Sequence, residues 1–216
     1  MLSKTQGLQY IRSTGALLII RLPDGDDAYH VAKAAIDGGI RALEVTYSVP
    51  GALDIITRLA KEHGDQILVG AGTVVDEPSA MAAIKAGARL LVSPHVAPGM
   101  LSVAKANDAV SVCGAFSPTE MVSALDGGAD IVKYFPAEFG GPAYVKAVTA
   151  PFPNMPILPT GGVSIDNVKQ WLDAGVFALG VGSFVSKAAA DSKPRDYGRV
   201  AAAAREFLQA VENARR

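Results

Sequence analysis

AIDGGIRALEV (residues 35–45), AIKAGARLLVS (83–93), ALDGGADIVKY (124–134) and WLDAGVFALGV (171–181) are four versions of one pattern. Each reads as a helix end, then a glycine, then a run of apolar residues. The shared glycines are Gly39, Gly87, Gly128 and Gly175. A glycine at a helix C-terminus adopts the left-handed conformation without the penalty that a Cβ imposes, so the chain can turn there and leave as a strand. Successive copies are 48, 41 and 47 residues apart, the differences between those glycine numbers. Each interval therefore holds two helix–strand units of roughly 20 to 24 residues.

Outward from these copies, eight short apolar runs can be marked: 16–21, 42–46, 66–71, 90–93, 109–113, 131–135, 156–159 and 178–181. They are rich in Val, Ile and Leu without polar alternation, as strands of a parallel sheet covered on both faces should be. The segments 27–37, 52–63, 78–86, 98–105, 118–126, 142–149 and 164–174 carry apolar residues at helical spacing, several with Pro, Ser or Asp near the first turn. A last helix over 197–214 completes the set, and 4–13 predicts an extra N-terminal helix over one barrel end. With no linker between units, the pattern predicts one α/β domain, residues 1–216, folded as a (β/α)8 TIM barrel. A doubly wound open sheet is the competing architecture. It would use only about five or six strands and leave two runs without a role.

Composition narrows the function. Half of the residues are hydrophobic, 19% are charged and the formal net charge is −1. No basic block suggests nucleic acid, and no cationic amphipathic stretch suggests a membrane surface. No apolar run is long enough to span a bilayer, and the first nine residues lack the apolar core of a signal peptide. Cys113 is the single cysteine, so no intrachain disulfide can form, and its apolar setting favours a reducing cytoplasm. No His or Cys pair has zinc-ligand spacing.

Barrel enzymes carry their reactive residues at the C-terminal ends of strands. The polar residues there are Arg21, Glu44, Thr73, Ser93, Lys133, Thr160 and Ser183. Lys133 interrupts an apolar strand that Pro136 stops. An unperturbed lysine is neutral in only about one molecule in 2,500 at pH 7, and burial disfavours the charged form. A desolvated lysine can attack a ketone; the alternatives are a snorkelling side chain or a buried ion pair. Glu44, in another apolar run, needs a partner or a raised pKa, which makes it either an acid/base or the partner of a nearby cation. The Arg21 fork suits a carboxylate or phosphate, or a structural pair with Glu44. Two Gly-rich turns, Thr160-Gly161-Gly162-Val163 opening a helix at Ser164 and Gly180-Val181-Gly182-Ser183, follow the last two strands, where barrels often bind phosphate; tight packing is the plainer explanation. Thr73 is a close-approach or turn residue, His95 reads as a loop histidine, Cys113 as a packed small hydrophobe and Trp171 as core or interface.

Taken together, Ala42-Leu43-Glu44-Val45-Thr46, Val69-Gly70-Ala71-Gly72-Thr73-Val74, Val92-Ser93-Pro94-His95, Val132-Lys133-Tyr134-Phe135-Pro136-Ala137-Glu138 and Pro159-Thr160-Gly161-Gly162-Val163 resemble the 2-keto-3-deoxy-6-phosphogluconate (KDPG) and 2-keto-4-hydroxyglutarate (KHG) aldolase family, over residues 15–184. The resemblance implies a class I aldolase, a homotrimer without metal or organic cofactor, that cleaves a phosphorylated 2-keto-3-deoxy sugar acid, or 4-hydroxy-2-oxoglutarate, to pyruvate and an aldehyde such as glyceraldehyde 3-phosphate. It implies a Schiff base on Lys133, proton movement through Glu44, a carboxylate contact at Thr73, and a phosphate held by Thr160, Gly161, Gly162, Gly182 and Ser183. Many members carry an arginine four residues after the glutamate, where this chain has Ser48; Arg21 matches a second branch and is assigned the carboxylate instead. Cys113-Gly114 stands where many members have Pro-Gly. A phosphosugar isomerase or epimerase on the same barrel, and a non-catalytic phosphate-ligand binding protein, are the competing functions.

Overall fold

The computed structural model describes residues 2–216, so Met1, which opens the stretch read for a signal core and the predicted domain, lies outside the described residues. Eight parallel strands alternate with helices. In chain order the elements are α1 (Lys4–Thr14), β1 (Ala16–Ile20), α2 (Gly25–Asp37), β2 (Ala42–Thr46), α3 (Ala52–His63), β3 (Leu68–Gly72), α4 (Glu77–Lys85), β4 (Leu90–Val92), α5 (Pro98–Ala106) and β5 (Val110–Ala115). They continue with α6 (Pro118–Asp126), β6 (Ile131–Tyr134), α7 (Gly141–Thr149), β7 (Ile157–Pro159), α8 (Val168–Asp173), β8 (Leu179–Val181), α9 (Ser183–Ser186) and α10 (Tyr197–Arg215). Ladders join the strands in the order β7-β6-β5-β4-β3-β2-β1-β8. The last seam closes through a bridge between Thr160 and Gly180 and a bond from the Phe177 N–H to the Ile157 carbonyl, 2.8 Å. The result is the expected (β/α)8 barrel.

The four repeat glycines behave as their pattern requires, with φ between 85° and 105°. The helix starts follow the sequence signals as well. Asp76 and Ser117 form capping boxes, and Pro98 and Pro118 open their helices.

Strand periodicity then sorts the side chains. Ala16, Leu18 and Ile20 of β1 pack outward against helices, while Leu17 joins an inner cluster with Leu68, Leu90, Val110, Ile131 and Leu158 on the barrel axis. Helix α1 plugs the N-terminal end of that inner cluster with Ile11, fully buried. Gly7 lets the helix approach closely, since a Cβ there would stand 3.0 Å from both Leu68 Cδ1 and Val110 Cγ2. Lys4 pairs with Asp130 at 2.8 Å. Arg215 donates to the carbonyls of Ser13 and Arg12 at 2.8 and 2.9 Å, capping the far end of the plug.

Many boundaries differ from expectation by one or two residues, and three departures stand out. β3 starts at Leu68, because residues 64–66 form a 3-10 turn. α8 starts at Val168 rather than 164, because the Asn167 side chain accepts from the Ser164 N–H at 3.0 Å and donates to the Gly162 carbonyl at 2.7 Å, holding a turn in place of a first helical turn. The four-residue α9 had no periodicity by which to be seen. No helix is long and apolar enough to cross a membrane among the described residues.

Candidate active site

The C-terminal ends of the strands open on a cavity of about 680 Å³. Seven of the nine predicted site residues line it: Arg21, Lys133, Thr160, Gly161, Gly162, Gly182 and Ser183. Glu44 lies buried beneath Lys133, and Thr73 joins the site through Arg21.

Lys133 is aimed by the strand that carries it. Val132 and Tyr134 face the helices, Tyr134 stacking on Tyr144 at 5.1 Å, so the alternation of β6 sends Lys133 to the barrel axis. A one-residue slip would exchange those faces and lose that aromatic packing. Lys133 is only 4% exposed. Its Nζ stands 3.6 Å from Glu44 Oε1 and 5.4 Å from the centre of the Phe135 ring. The first distance is that of an ion pair, too long for a good hydrogen bond.

Glu44 is fully buried, and neither carboxylate oxygen takes a hydrogen bond from the protein. Burial pushes its carboxyl above the usual carboxylate range; the charges of Lys133 and Arg21 pull it back down. Gly72 makes the room, because a Cβ there would stand 2.7 Å from Glu44 Cδ.

Arg21 lies one residue past β1, and its Nη2 donates to Thr73 Oγ1 at 3.2 Å. The alternative pairing of Arg21 with Glu44 is not made at contact distance; the two interact only at longer range. Thr73 has φ 59°, a left-handed backbone that a β-branched residue rarely adopts and that costs on the order of 1–3 kcal/mol. The Val74 N–H, bonded to the Val92 carbonyl at 3.0 Å, anchors the chain directly after it. Ser48, where an arginine is common, shares a 2.8 Å hydrogen bond with the buried Thr46 hydroxyl.

Across the cavity, Gly161 and Gly162 have φ 103° and 71°. With α8 beginning late, this turn opens onto a loop, and the helix N-terminus expected at Ser164 is absent. Gly182 has φ −118° and needs no left-handed freedom; a Cβ there would meet nothing nearer than 4.0 Å, so the space beside it belongs to the cavity. Ser183 opens α9, and Ser186 Oγ donates to the Gly182 carbonyl at 3.0 Å. Thr160 Oγ1 is buried and unpartnered.

The remaining candidates stand apart. The His95 carbonyl accepts from Ser93 Oγ at 2.7 Å, Cys113 is buried in the outer core, and Trp171, 2% exposed, packs edge-on to Tyr134. Sequence reasoning missed Phe135, Ser164, Ser186 and Lys187 in the cavity wall. Phe135 was within reach, since it is the next inward position after Lys133.

Known proteins share sequence and fold with this chain. The chain is 31% identical to the 2-dehydro-3-deoxy-6-phosphogalactonate aldolase of Escherichia coli, covering 95% of this chain and all of that one. It is 35% identical to the 2-dehydro-3-deoxy-phosphogluconate aldolase of Pseudomonas aeruginosa, covering 95% and 93%. The KDPG aldolase of Legionella pneumophila, solved with pyruvate captured as a covalent carbinolamine, superposes with a TM-score of 0.83 at 29% identity, covering 94% of this chain and 98% of that one. The family model for KDPG and KHG aldolases matches residues 9–203, and the chain belongs to that family.

Proposed function

We propose that this chain is a class I aldolase that cleaves a phosphorylated 2-keto-3-deoxy sugar acid to pyruvate and an aldehyde through an imine on Lys133. The observation that carries the reading is a buried lysine on the cavity wall with a buried carboxylate 3.6 Å away. The carbinolamine in the Legionella relative gives the same chemistry in a related barrel.

In this reading the neutral Lys133 amine adds to the substrate C2 carbonyl. Glu44, working through a water, protonates the departing hydroxyl, and water leaves as the imine forms. The iminium makes C2 an electron sink. Glu44 then takes the proton of the C4 hydroxyl, C3–C4 breaks, the aldehyde departs, and the electron pair rests as an enamine in place of a bare carbanion. Protonation at C3 and hydrolysis release pyruvate and restore Lys133. The raised carboxyl of Glu44 suits this exchange, since an acid/base works best with a pKa near the operating pH. Arg21, tied to Thr73, supplies a fork for the substrate carboxylate. The Gly161-Gly162 turn with Thr160, Gly182 and Ser183 receives the phosphate at the other end, binding energy that orients the reacting carbons.

The proposal includes a homotrimer in the cytoplasm. Three partly or largely exposed rings, Phe116, Phe139 and Phe152, give this barrel apolar surface that a subunit contact would cover. Light scattering at micromolar concentration tests it; a monodisperse monomer contradicts it.

The catalytic reading is tested by pyruvate release from 2-keto-3-deoxy-6-phosphogluconate, its galactonate epimer and 4-hydroxy-2-oxoglutarate, together with borohydride trapping in the presence of pyruvate. Turnover of at least one compound and a covalent adduct on Lys133 are expected. An isomerase or epimerase on this barrel would give neither product.

A further inference from the structure

The cavity wall carries three cations, Arg21, Lys133 and Lys187, and no carboxylate among its lining residues. Two of the cations are engaged, Arg21 with Thr73 and Lys133 with Glu44. Among the described residues the Lys187 side chain makes no hydrogen bond or ion pair, and the residue is exposed. Its position is nevertheless fixed. Its backbone N–H donates to the Ser183 carbonyl at 3.0 Å, so Ser183 and Lys187 stand at opposite ends of α9 on one wall. Across from them is the Gly161-Gly162 turn. A negative group crowds that turn: Glu138 is packed so closely that a Cβ on Gly162 would stand 3.1 Å from Glu138 Cβ and 3.9 Å from its Oε2.

We propose that Lys187 reads the charge of the substrate's phosphate and sets the preference for phosphorylated over unphosphorylated keto acids. This rests on the aldolase reading above and goes beyond it by naming the residue that makes the discrimination. Backbone N–H groups and serine hydroxyls offer only partial charges, and an uncharged hydroxyl tail can satisfy several of them. A phosphate monoester carries about −1.5 to −2 charges at pH 7. Bringing it beside the Glu138 carboxylate calls for a full positive charge, and a lysine on a flexible stem supplies a point charge that follows the anion. The three cations then divide the substrate among them, Arg21 at the carboxylate, Lys133 at the keto carbon and Lys187 at the phosphate. The plainer role, closing the C-terminus of α9, makes a different prediction, because damage to a helix beside the cavity would reduce turnover of every substrate alike.

The test compares kcat/KM for 2-keto-3-deoxy-6-phosphogluconate and for its unphosphorylated parent, 2-keto-3-deoxygluconate, in the wild type, Lys187→Met and Lys187→Arg. The ratio of the two should fall about tenfold in Lys187→Met, mostly through KM of the phosphorylated compound, and should be largely retained in Lys187→Arg. Inorganic phosphate should inhibit the wild type competitively and Lys187→Met about tenfold more weakly, and raising the salt should erode the wild-type preference more than that of the Met variant. An equal loss on both substrates, or an unchanged ratio with unchanged phosphate inhibition, overturns the role of Lys187 while leaving the phosphate site standing. A wild type that does not prefer the phosphorylated compound and is not inhibited by inorganic phosphate overturns the phosphate site itself, and Lys187 with it.

Discussion

At the N-terminal end of the barrel, helix α1 drives Ile11 into the inner cluster, Lys4 pairs with Asp130, and Arg215 caps the carbonyls of the plug. At the C-terminal end, Glu44 has two buried oxygens that take no hydrogen bond, Thr160 has one, and Thr73 holds a left-handed backbone. The same eight strands run between these ends, so the difference is one of use. One end is packed to favour the folded state; the other retains unpaired polar groups and strain that a substrate can use. Substitutions at the open end should therefore affect rate, and those at the plugged end stability.

The largest expected effect is at Lys133. Lys133→Ala should abolish turnover and borohydride trapping with pyruvate while the circular dichroism spectrum stays that of the folded barrel; persistent trapping would remove the imine from this residue. Next comes Glu44→Gln, which should lower kcat by roughly 10²- to 10⁴-fold with less change in KM. A raised KM at constant kcat would make Glu44 a binding group instead. Because burial raises the Glu44 carboxyl, it is protonated at a higher pH than an ordinary carboxylate. The acid limb of the wild-type rate profile should accordingly lie above the usual carboxylate range of about 4.3, and Glu44→Gln should lack that limb.

Gly162→Val should lower kcat/KM for a phosphorylated substrate by about 10²-fold and for 4-hydroxy-2-oxoglutarate much less, since both need the same imine. Equal losses would make the turn structural. At the plugged end, Ile11→Ala should cost about 2–5 kcal/mol in denaturant melts with kcat nearly constant; a large drop in kcat there would break the contrast between the ends. The smallest effect is Thr73→Gly. Relief of the left-handed backbone should stabilise the protein by about 1 kcal/mol while kcat/KM falls, because Arg21 loses its anchor. A loss of stability would mean that Thr73 is packed rather than strained.

The sequence was most legible where one local rule governs. The strands were readable because both faces are buried, and the glycines between helix and strand because only the left-handed region fits them. Lys133 stood out as a charge in an apolar strand. The late start of α8 was hidden, because Asn167 ends the turn through its side chain and nothing in 164–167 departs from a helical pattern. The strain at Thr73 was hidden as well, since it is imposed by β4 through the Val74–Val92 bond rather than by its neighbours in sequence. Lys187 carries no periodic or motif signal and joins the cavity wall only through the fold, at the end of α9.

The joint between β7 and β8 is short, a bridge from Thr160 to Gly180 and one bond from Phe177 to Ile157. The proposed phosphate site straddles that joint, with Gly162 on one bank and Ser183 on the other. An anion seated there would clasp the two edges of the cylinder, so the ligand itself becomes a fastener. Hydrogen exchange at Phe177, whose N–H crosses the joint to Ile157, should slow when the site fills, and the empty barrel should breathe first along this line.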